Sequence, residues 1–220
     1  MKKDSHSPAV GDTPVPRSHI LQPSPPRKPS ALKRLNALAA RMPREADLVL
    51  IGDSLAAAWP GELLLAAALG KQIFNFGLPG DRIQNTLWRL KTIDLAHLKP
   101  QRAIILVGTN NLTDGDEPEA IATAVVSLVG AVRQLWVEAD VIVVTIPSRG
   151  PPPGFREHER LHLNRLIAAA ASKMEGTRVV HADGPLGIED SDFSSLNRAD
   201  LLHLSYEGYR RITVAIAADH

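Results

Sequence analysis

Cysteine is absent from the 220 residues of the chain. That absence excludes disulfides, zinc–thiolate sites and cysteine nucleophiles together, and it leaves the redox compartment open. An excess of either charge is also missing, with 25 Lys and Arg against 24 Asp and Glu. No overall field then draws the protein to nucleic acid or to an anionic membrane, so a small or neutral partner is expected rather than a polyanion. Long apolar runs are lacking as well. The stretch "ELLLAAALG" falls far short of the roughly 20 residues that span a bilayer. The opening "MKKDSHSPAVGDTPVPRSHILQPSPPRKPS" holds basic residues but no continuous apolar segment of the kind a secretion signal carries. The expectation is a protein without an integral membrane segment, cytoplasmic by default.

What the chain does contain changes character near residue 31. Residues 1–30 carry Pro8, Pro14, Pro16, Pro23, Pro25, Pro26 and Pro29 among Ser, Lys and Arg, with too little apolar surface to offset the entropy of ordering. They read as a proline-rich arm, disordered or peripherally attached, and residues 31–220 as one domain with a single α/β core. "ALKRLNALAARM" from Ala31 has helical apolar spacing and stops before Pro43. Beyond it, short apolar runs alternate with helix-period segments. Strands are predicted over 48–52, 72–76, 103–107, 141–146 and 178–181, and helices over 62–69, 82–93, 118–138, 156–174 and 206–218. This alternation predicts an α/β fold, a flavodoxin-like doubly wound sheet of five parallel strands with helices on both faces; an eight-unit barrel would need more chain. Ligands of such sheets gather at the carboxyl ends of the strands. The residues that follow each strand are therefore the informative ones.

Four stretches stand at such positions or just before the last helix. In "DLVLIGDSLAAAW", Ser54 follows the first strand, either as the cap of the next helix or as a nucleophile at a helix N-terminus that favours developing negative charge. In "NFGLPGDRIQNTLWRL", Gly77 and Gly80 are turn residues or, for a ligand, backbone donors with no side chain in the way. In "ILVGTNNLTDGD", Asn110 and Asn111 are turn formers or, alternatively, uncharged amide donors suited to an oxyanion. In "ADLLHLSYEGYRRI", Asp200 and His203 stand within one turn, where a carboxylate can hold one ring nitrogen and leave the other facing a nucleophile. Read blandly, the two form a local surface pair, and Ser205 with Glu207 a partial cap. Neither G-x-G-x-x-G nor G-x-x-x-x-G-K-[ST] is present, which counts against a nucleotide- or flavin-binding protein. His97, His158, His162 and His181 are read as showing no H-x-x-x-H or similar ligand spacing, and no metal is expected.

Together the four stretches resemble the SGNH (GDSL-type) esterase and lipase superfamily, whose blocks match here at Ser54, Gly80, Asn110 and His203. The run "NFGLPGDRIQNTLWRLKTIDLAHLKPQRAIILVGTNN" is most similar to the catalytic subunits of intracellular platelet-activating-factor acetylhydrolase and to bacterial esterases related to them. The resemblance spans roughly residue 46 to the last helix. It departs from the family at Ala56, where a threonine is common, and at Pro79, where a glycine is common. It implies the same flavodoxin-like three-layer sandwich and the absence of a G-x-S-x-G elbow. It also implies a serine esterase without a cofactor, acting on a small ester of acetyl type. Ser54 would be the nucleophile, His203 the base and Asp200 its orienting acid, with an oxyanion hole from the N–H of Ser54, the N–H of Gly80 and the Asn110 amide. Leu55, Thr109 and Leu202, each next to one of these residues, are candidates for lining the acyl pocket, the alternative being that they face the core. That branch forms dimers, so the resemblance makes a homodimer possible here. Carbohydrate O-acetylesterase, thioesterase and lysophospholipase activities fit the same residues, and a non-catalytic binding module on this fold is the reading from another class.

Overall fold

A computed structural model describes residues 19–26, 28–68, 72–150, 154–187 and 193–218. Strands β1 (Leu48–Gly52), β2 (Ile73–Gly77), β3 (Arg102–Leu106), β4 (Asp140–Val144) and β5 (Thr177–Val180) form one parallel sheet in the order β2-β1-β3-β4-β5. The helices are α1 (Pro29–Ala39), α2 (Ser54–Ala57), α3 (Gly61–Ala67), α4 (Ile83–Thr92), α5 (Thr109–Asp114), α6 (Pro118–Leu135), α7 (Glu157–Ala171), α8 (Asp183–Leu186), α9 (Phe193–Leu196) and α10 (Tyr206–Ala218). The expected α/β fold with a five-stranded parallel sheet is the observed one. Boundaries of β2 to β5 shift by one or two residues, and the long helices are up to three residues shorter at either end than their periodicity suggested. Of the helix predicted over 62–69, residue 69 lies outside the described residues.

Side chains alternate across the sheet, and both faces are apolar because both are covered. Val49, Ile51, Ala103, Ile105, Val141 and Val143 face one layer with α1, α4, α6 and α7. Leu48, Leu50, Ile104, Leu106, Ile142 and Val144 face the other, where Leu55, Leu64, Tyr209 and Ile212 bring in α2, α3 and α10. The sheet order reverses between β1 and β3, the switch point where such folds open a crevice. Ser54 and Thr109–Asn110 follow these two central strands, and Gly80 follows the neighbouring β2.

Residues 1–18 and 27 of the expected arm lie outside the described residues. Residues 19–26 are docked, with Ile20 wholly buried in the core layer of α4 and α6. Ser24 N–H donates to the Gln84 carbonyl at 3.1 Å, and Asn85 Nδ2 donates to the carbonyls of Ser24 and Pro25 at 3.0 and 3.2 Å. Ile20 and Leu21 on the core, with the bonded backbone of Ser24 and Pro25, attach this part of the arm to the domain. Among the described residues no helix is long and apolar enough to cross a membrane.

Candidate active site

The turn from β1 into α2 has little freedom. A Cβ on Gly52 would run into the Leu106 carbonyl oxygen of β3, so only glycine lets the two strand ends approach this closely. The cap of α2 is Asp53, whose Oδ1 accepts from Leu55 N–H at 2.9 Å. Ser54 is the first residue of the helix, half-buried, and not its cap. Its hydroxyl is thereby spared a capping role, at the helix end where anions are favoured.

Asp53 itself is wholly buried, and its Oδ2 has no hydrogen-bond partner. Burial, with Asp81 nearby, pushes its carboxyl up to about 7 from an ordinary 3.8, against the pull of the Leu55 N–H and Arg149. The folded state then holds a proton that the unfolded chain releases near pH 4, so stability falls as pH rises from about 4 to 7 and levels off above. The window is worth on the order of 4 kcal/mol. Asp53→Asn retains an oxygen for Leu55 N–H and has no proton to lose. Urea denaturation is expected to show a smaller loss of stability between about pH 5 and pH 8 in Asp53→Asn than in the wild type; equal losses would assign that proton elsewhere.

The loop after β2 is held from below by a buried arginine. Arg89 on α4 donates to Asp81 Oδ2 at 2.7 Å, to the Phe76 carbonyl at 2.8 Å and to the Gly52 carbonyl at 3.2 Å, with its guanidinium 4.4 Å from the Phe76 ring centre. One side chain thus joins the ends of β1 and β2 to the loop that carries Gly80. Gly80 has φ +85°, which disfavours any other residue, and its missing Cβ would meet nothing within 4 Å. The space a side chain would take there is open, and the Gly80 carbonyl accepts from Arg82 Nη1 at 2.8 Å.

Asn110 and Asn111 have separate tasks. Asn111 is buried, its Oδ1 accepting from Ile83 N–H at 3.0 Å and its Nδ2 donating to Gln84 and Asp116 at 3.1 and 2.9 Å, so it secures the start of α4. Asn110 is half-buried and donates one Nδ2 hydrogen to the Asp81 carbonyl at 2.8 Å. The second hydrogen of that amide is thereby oriented by the residue adjoining Gly80. The pair, read as turn formers or as amide donors, stands in the first turn of α5, which opens at Thr109.

Asp200 and His203 lie in a tight connection between α9 and α10, closed by an Asn197–Leu204 bridge and by Arg198 N–H donating to the His203 carbonyl at 2.7 Å. Asp200 Oδ2 is 2.7 Å from His203 Nδ1, while Oδ1 accepts from the N–H groups of Leu202 and His203 at 3.0 and 2.9 Å. The His203 contact and these two N–H groups hold the Asp200 carboxyl well below the usual carboxylate range. An ionised carboxylate only accepts. Nδ1 therefore carries the proton, and in the neutral ring Nε2 is left with the lone pair of a base. The cap read at Ser205 is present too, its Oγ accepting from Gly208 N–H at 3.2 Å.

What joins this hairpin to Ser54 is α10. Tyr209, six residues after His203, donates its hydroxyl to the Leu55 carbonyl at 2.8 Å, Trp59 Nε1 donates to Thr213 Oγ1 at 3.1 Å, and the Trp59 and Tyr209 rings lie 5.1 Å apart. Burial raises the Tyr209 hydroxyl above its ordinary range, and the charges of Asp53 and Asp200 act on it in the same direction. The tyrosine thus ties α10, which follows the His203 loop, to the backbone of the residue after Ser54. Among the pocket candidates, Leu55 packs in the core beside Tyr209, Thr109 is buried with its hydroxyl unpartnered, and Leu202 is half-buried. Arg89, Asp81 and Tyr209 were not singled out by motif. An arginine at helical period reads as a solvated face until its surroundings are known.

The histidines need one correction. His158 and His162 are four apart on α7, a spacing found between metal ligands, but His162 Nε2 pairs with Glu119 at 2.8 Å. Among the described residues no group of three or more His, Cys, Asp or Glu could hold a metal.

The doubly wound sheet thus carries a serine and amide donors after its strands, and a carboxylate-held imidazole before its last helix. The chain belongs to the GDSL-like lipase/acylhydrolase family, whose model matches residues 50–211. It is 30% identical over 179 residues to the human platelet-activating factor acetylhydrolase IB subunit alpha1, covering 79% of this chain and 74% of that protein. It is 27% identical to the human alpha2 subunit over 175 residues, 77% and 73% of the two chains. Solved structures share the fold: a lipase/acylhydrolase from Enterococcus faecalis at TM-score 0.65 and 20% identity, covering 79% of this chain and 94% of that one, and a carbohydrate acetylesterase from Sinorhizobium meliloti at 0.63 and 22%, covering 79% and 97%.

Proposed function

We propose that this protein is a serine esterase that removes a short acyl group, acetyl above all, from an alcohol oxygen. Ser54 Oγ attacks the ester carbonyl as His203 Nε2 takes its proton, and the alcohol leaves with that proton. Water then attacks the acyl-enzyme, with His203 again as base, and releases the acid and free Ser54. Asp200 stabilises the imidazolium in both halves. The oxyanion is held by the N–H of Ser54, the N–H of Gly80 and the Asn110 amide. The observation that carries this reading is the 2.7 Å Asp200–His203 contact in a hairpin tied by Tyr209 to the backbone beside Ser54.

The test is a p-nitrophenyl ester series from acetate to octanoate, run with fluorophosphonate labelling and peptide mapping. The label is expected on Ser54 and the highest kcat/KM on acetate or propionate. Label elsewhere overturns the nucleophile, and activity rising steadily to octanoate overturns the short acyl group. A second reading, deacetylation of a carbohydrate hydroxyl, is favoured by the exposure of the Asp200 side chain, 50%, which leaves the leaving-group side wet. Acetylated sugars added to the same series separate the two.

The neighbouring asparagines give an internal control. Asn110→Ala is expected to lower kcat about 100-fold or more, close to 3 kcal/mol of transition-state stabilisation, with the melting temperature barely changed. Asn111→Ala strips partners from Ile83 N–H and Gln84 and is expected to lose about 2 kcal/mol of stability while the folded fraction keeps most of its turnover. The reverse pattern would exchange their roles.

A further inference from the structure

Four arginines are buried among the described residues, and three of them face a carboxylate. Arg89 meets Asp81 at 2.7 Å, Arg160 meets Asp183 at 2.8 Å and also Glu157, and Arg102 lies 3.6 Å from Asp140. Arg149, 9% exposed, forms no ion pair among the described residues. Its side-chain hydrogen bond among them runs from Nη2 to the neutral Thr113 hydroxyl at 2.7 Å, and its guanidinium lies 4.4 Å from the centre of the Phe155 ring. Nε and Nη1 have no acceptor among the described residues. A buried cation without a counter-charge is costly, and this chain avoids that cost at the other three positions.

Its surroundings explain where a counter-charge would come from. Thr113 is one turn beyond Asn110 on α5, and its hydroxyl in turn donates to the Thr109 carbonyl at 2.8 Å. The next residue, Gly150, donates its N–H to the Leu201 carbonyl at 2.6 Å, between Asp200 and His203. Asp53, which precedes Ser54, is the charge that attracts Arg149, but burial pushes that carboxyl toward its neutral form. The guanidinium thus contacts α5, which carries Asn110, and the backbone of the following residue is bonded to the loop that carries Asp200 and His203. Thr113 takes one of the two Nη2 hydrogens, and the other, paired with Nε on one edge of the guanidinium or with Nη1 on the next, makes the planar fork that matches a carboxylate or phosphate.

We propose that Arg149 is the specificity-determining residue of this cleft and holds a carboxylate or phosphate carried by the ester substrate itself. The inference rests on the esterase reading of Ser54 and His203. It makes an acidic acyl ester a better substrate than its neutral isostere.

The test compares 4-acetoxybenzoate with 4-acetoxybenzamide, and acetylglycerol phosphate with monoacetylglycerol, on the full chain and on Arg149→Gln and Arg149→Lys. In at least one pair the ratio of kcat/KM, anionic over neutral, is expected to fall about tenfold or more in Arg149→Gln, mostly through KM, and to recover partly in Arg149→Lys. Taking the ratio cancels the intrinsic reactivity of each ester and any shared loss of folded protein. Equal losses on both members of both pairs would make Arg149 a structural or oxyanion-stabilising residue and overturn the proposal. Calorimetry on Ser54→Ala protein gives a readout without turnover: the anionic ester is expected to bind more tightly than the neutral one, and Arg149→Gln to abolish the difference. Inorganic phosphate bound as tightly as the anionic ester would mean that a free anion, not the substrate, is the occupant, which also overturns it. Normal turnover by Ser54→Ala would instead overturn the esterase mechanism, while the binding arm still decides Arg149.

Discussion

Ser54→Ala and His203→Ala are each expected to lower kcat on p-nitrophenyl acetate about 10⁴-fold or more, and the double variant is expected to be no worse than the poorer single. In the proposed mechanism nucleophile and base act in one step. Without the serine there is no alkoxide to form, and without the imidazole the proton of a hydroxyl that is a weak nucleophile at neutral pH has nowhere to go. Whatever rate remains comes from the oxyanion donors and from substrate positioning, which neither substitution removes. The fold should survive both changes. Ser54 does not cap α2, since Asp53 does, and the His203 loop keeps its backbone bonds to Arg198 and to Asp200. Circular dichroism and melting temperatures close to wild type are therefore part of the expected result. Losses that multiplied in the double variant would show that the two residues serve separate steps, and the coupled proton transfer would have to be abandoned.

How much of this was legible in the sequence follows from which interactions are local. The strands were, because parallel strands covered on both faces leave uninterrupted apolar runs such as "LVLIG" and "RAIIL". The pairing of Asp200 with His203 was, because three residues of spacing suffice to state it. Short helices were not. The turns α2, α5 and α8, of four to six residues, are too brief to show a 3.6-residue period, and "TNNLTD" is polar enough to read as a turn. Residues 19–26 were read as part of an arm either disordered or peripherally attached, because their prolines are more conspicuous than Ile20 and Leu21, which pack on the core. Arg89 and Arg149 were invisible for a deeper one. Their roles depend on which carbonyls and carboxylates the fold brings near, a fact no spacing carries.

Arg89→Met is expected to destabilise the protein by about 3–5 kcal/mol, the range found when one partner of a buried ion pair is removed. For a chain of this size that lowers the melting temperature by roughly 10 °C. Methionine fills much of the volume but leaves the carbonyls of Phe76 and Gly52 without this donor and Asp81 as a buried carboxylate without its cation. Burial already pushes the Asp81 carboxyl up, and the Arg89 guanidinium is the main force opposing that. In the variant the carboxyl is expected to take up a proton, so the loss of stability should be larger at about pH 8 than at about pH 5. Adding Asp81→Asn removes the uncompensated charge but not the two lost carbonyl bonds. The double variant should therefore recover part of the loss, and the unrecovered part measures what Arg89 contributes by joining β1 to β2. Activity should fall with it even in the folded fraction, because the loop held by Arg89 presents Gly80 and, through the Asp81 carbonyl, orients Asn110. Denaturant curves and kcat measured on the same preparations check both halves: full stability in Arg89→Met, or full turnover despite lost stability, would separate the arginine from the site it is argued to position.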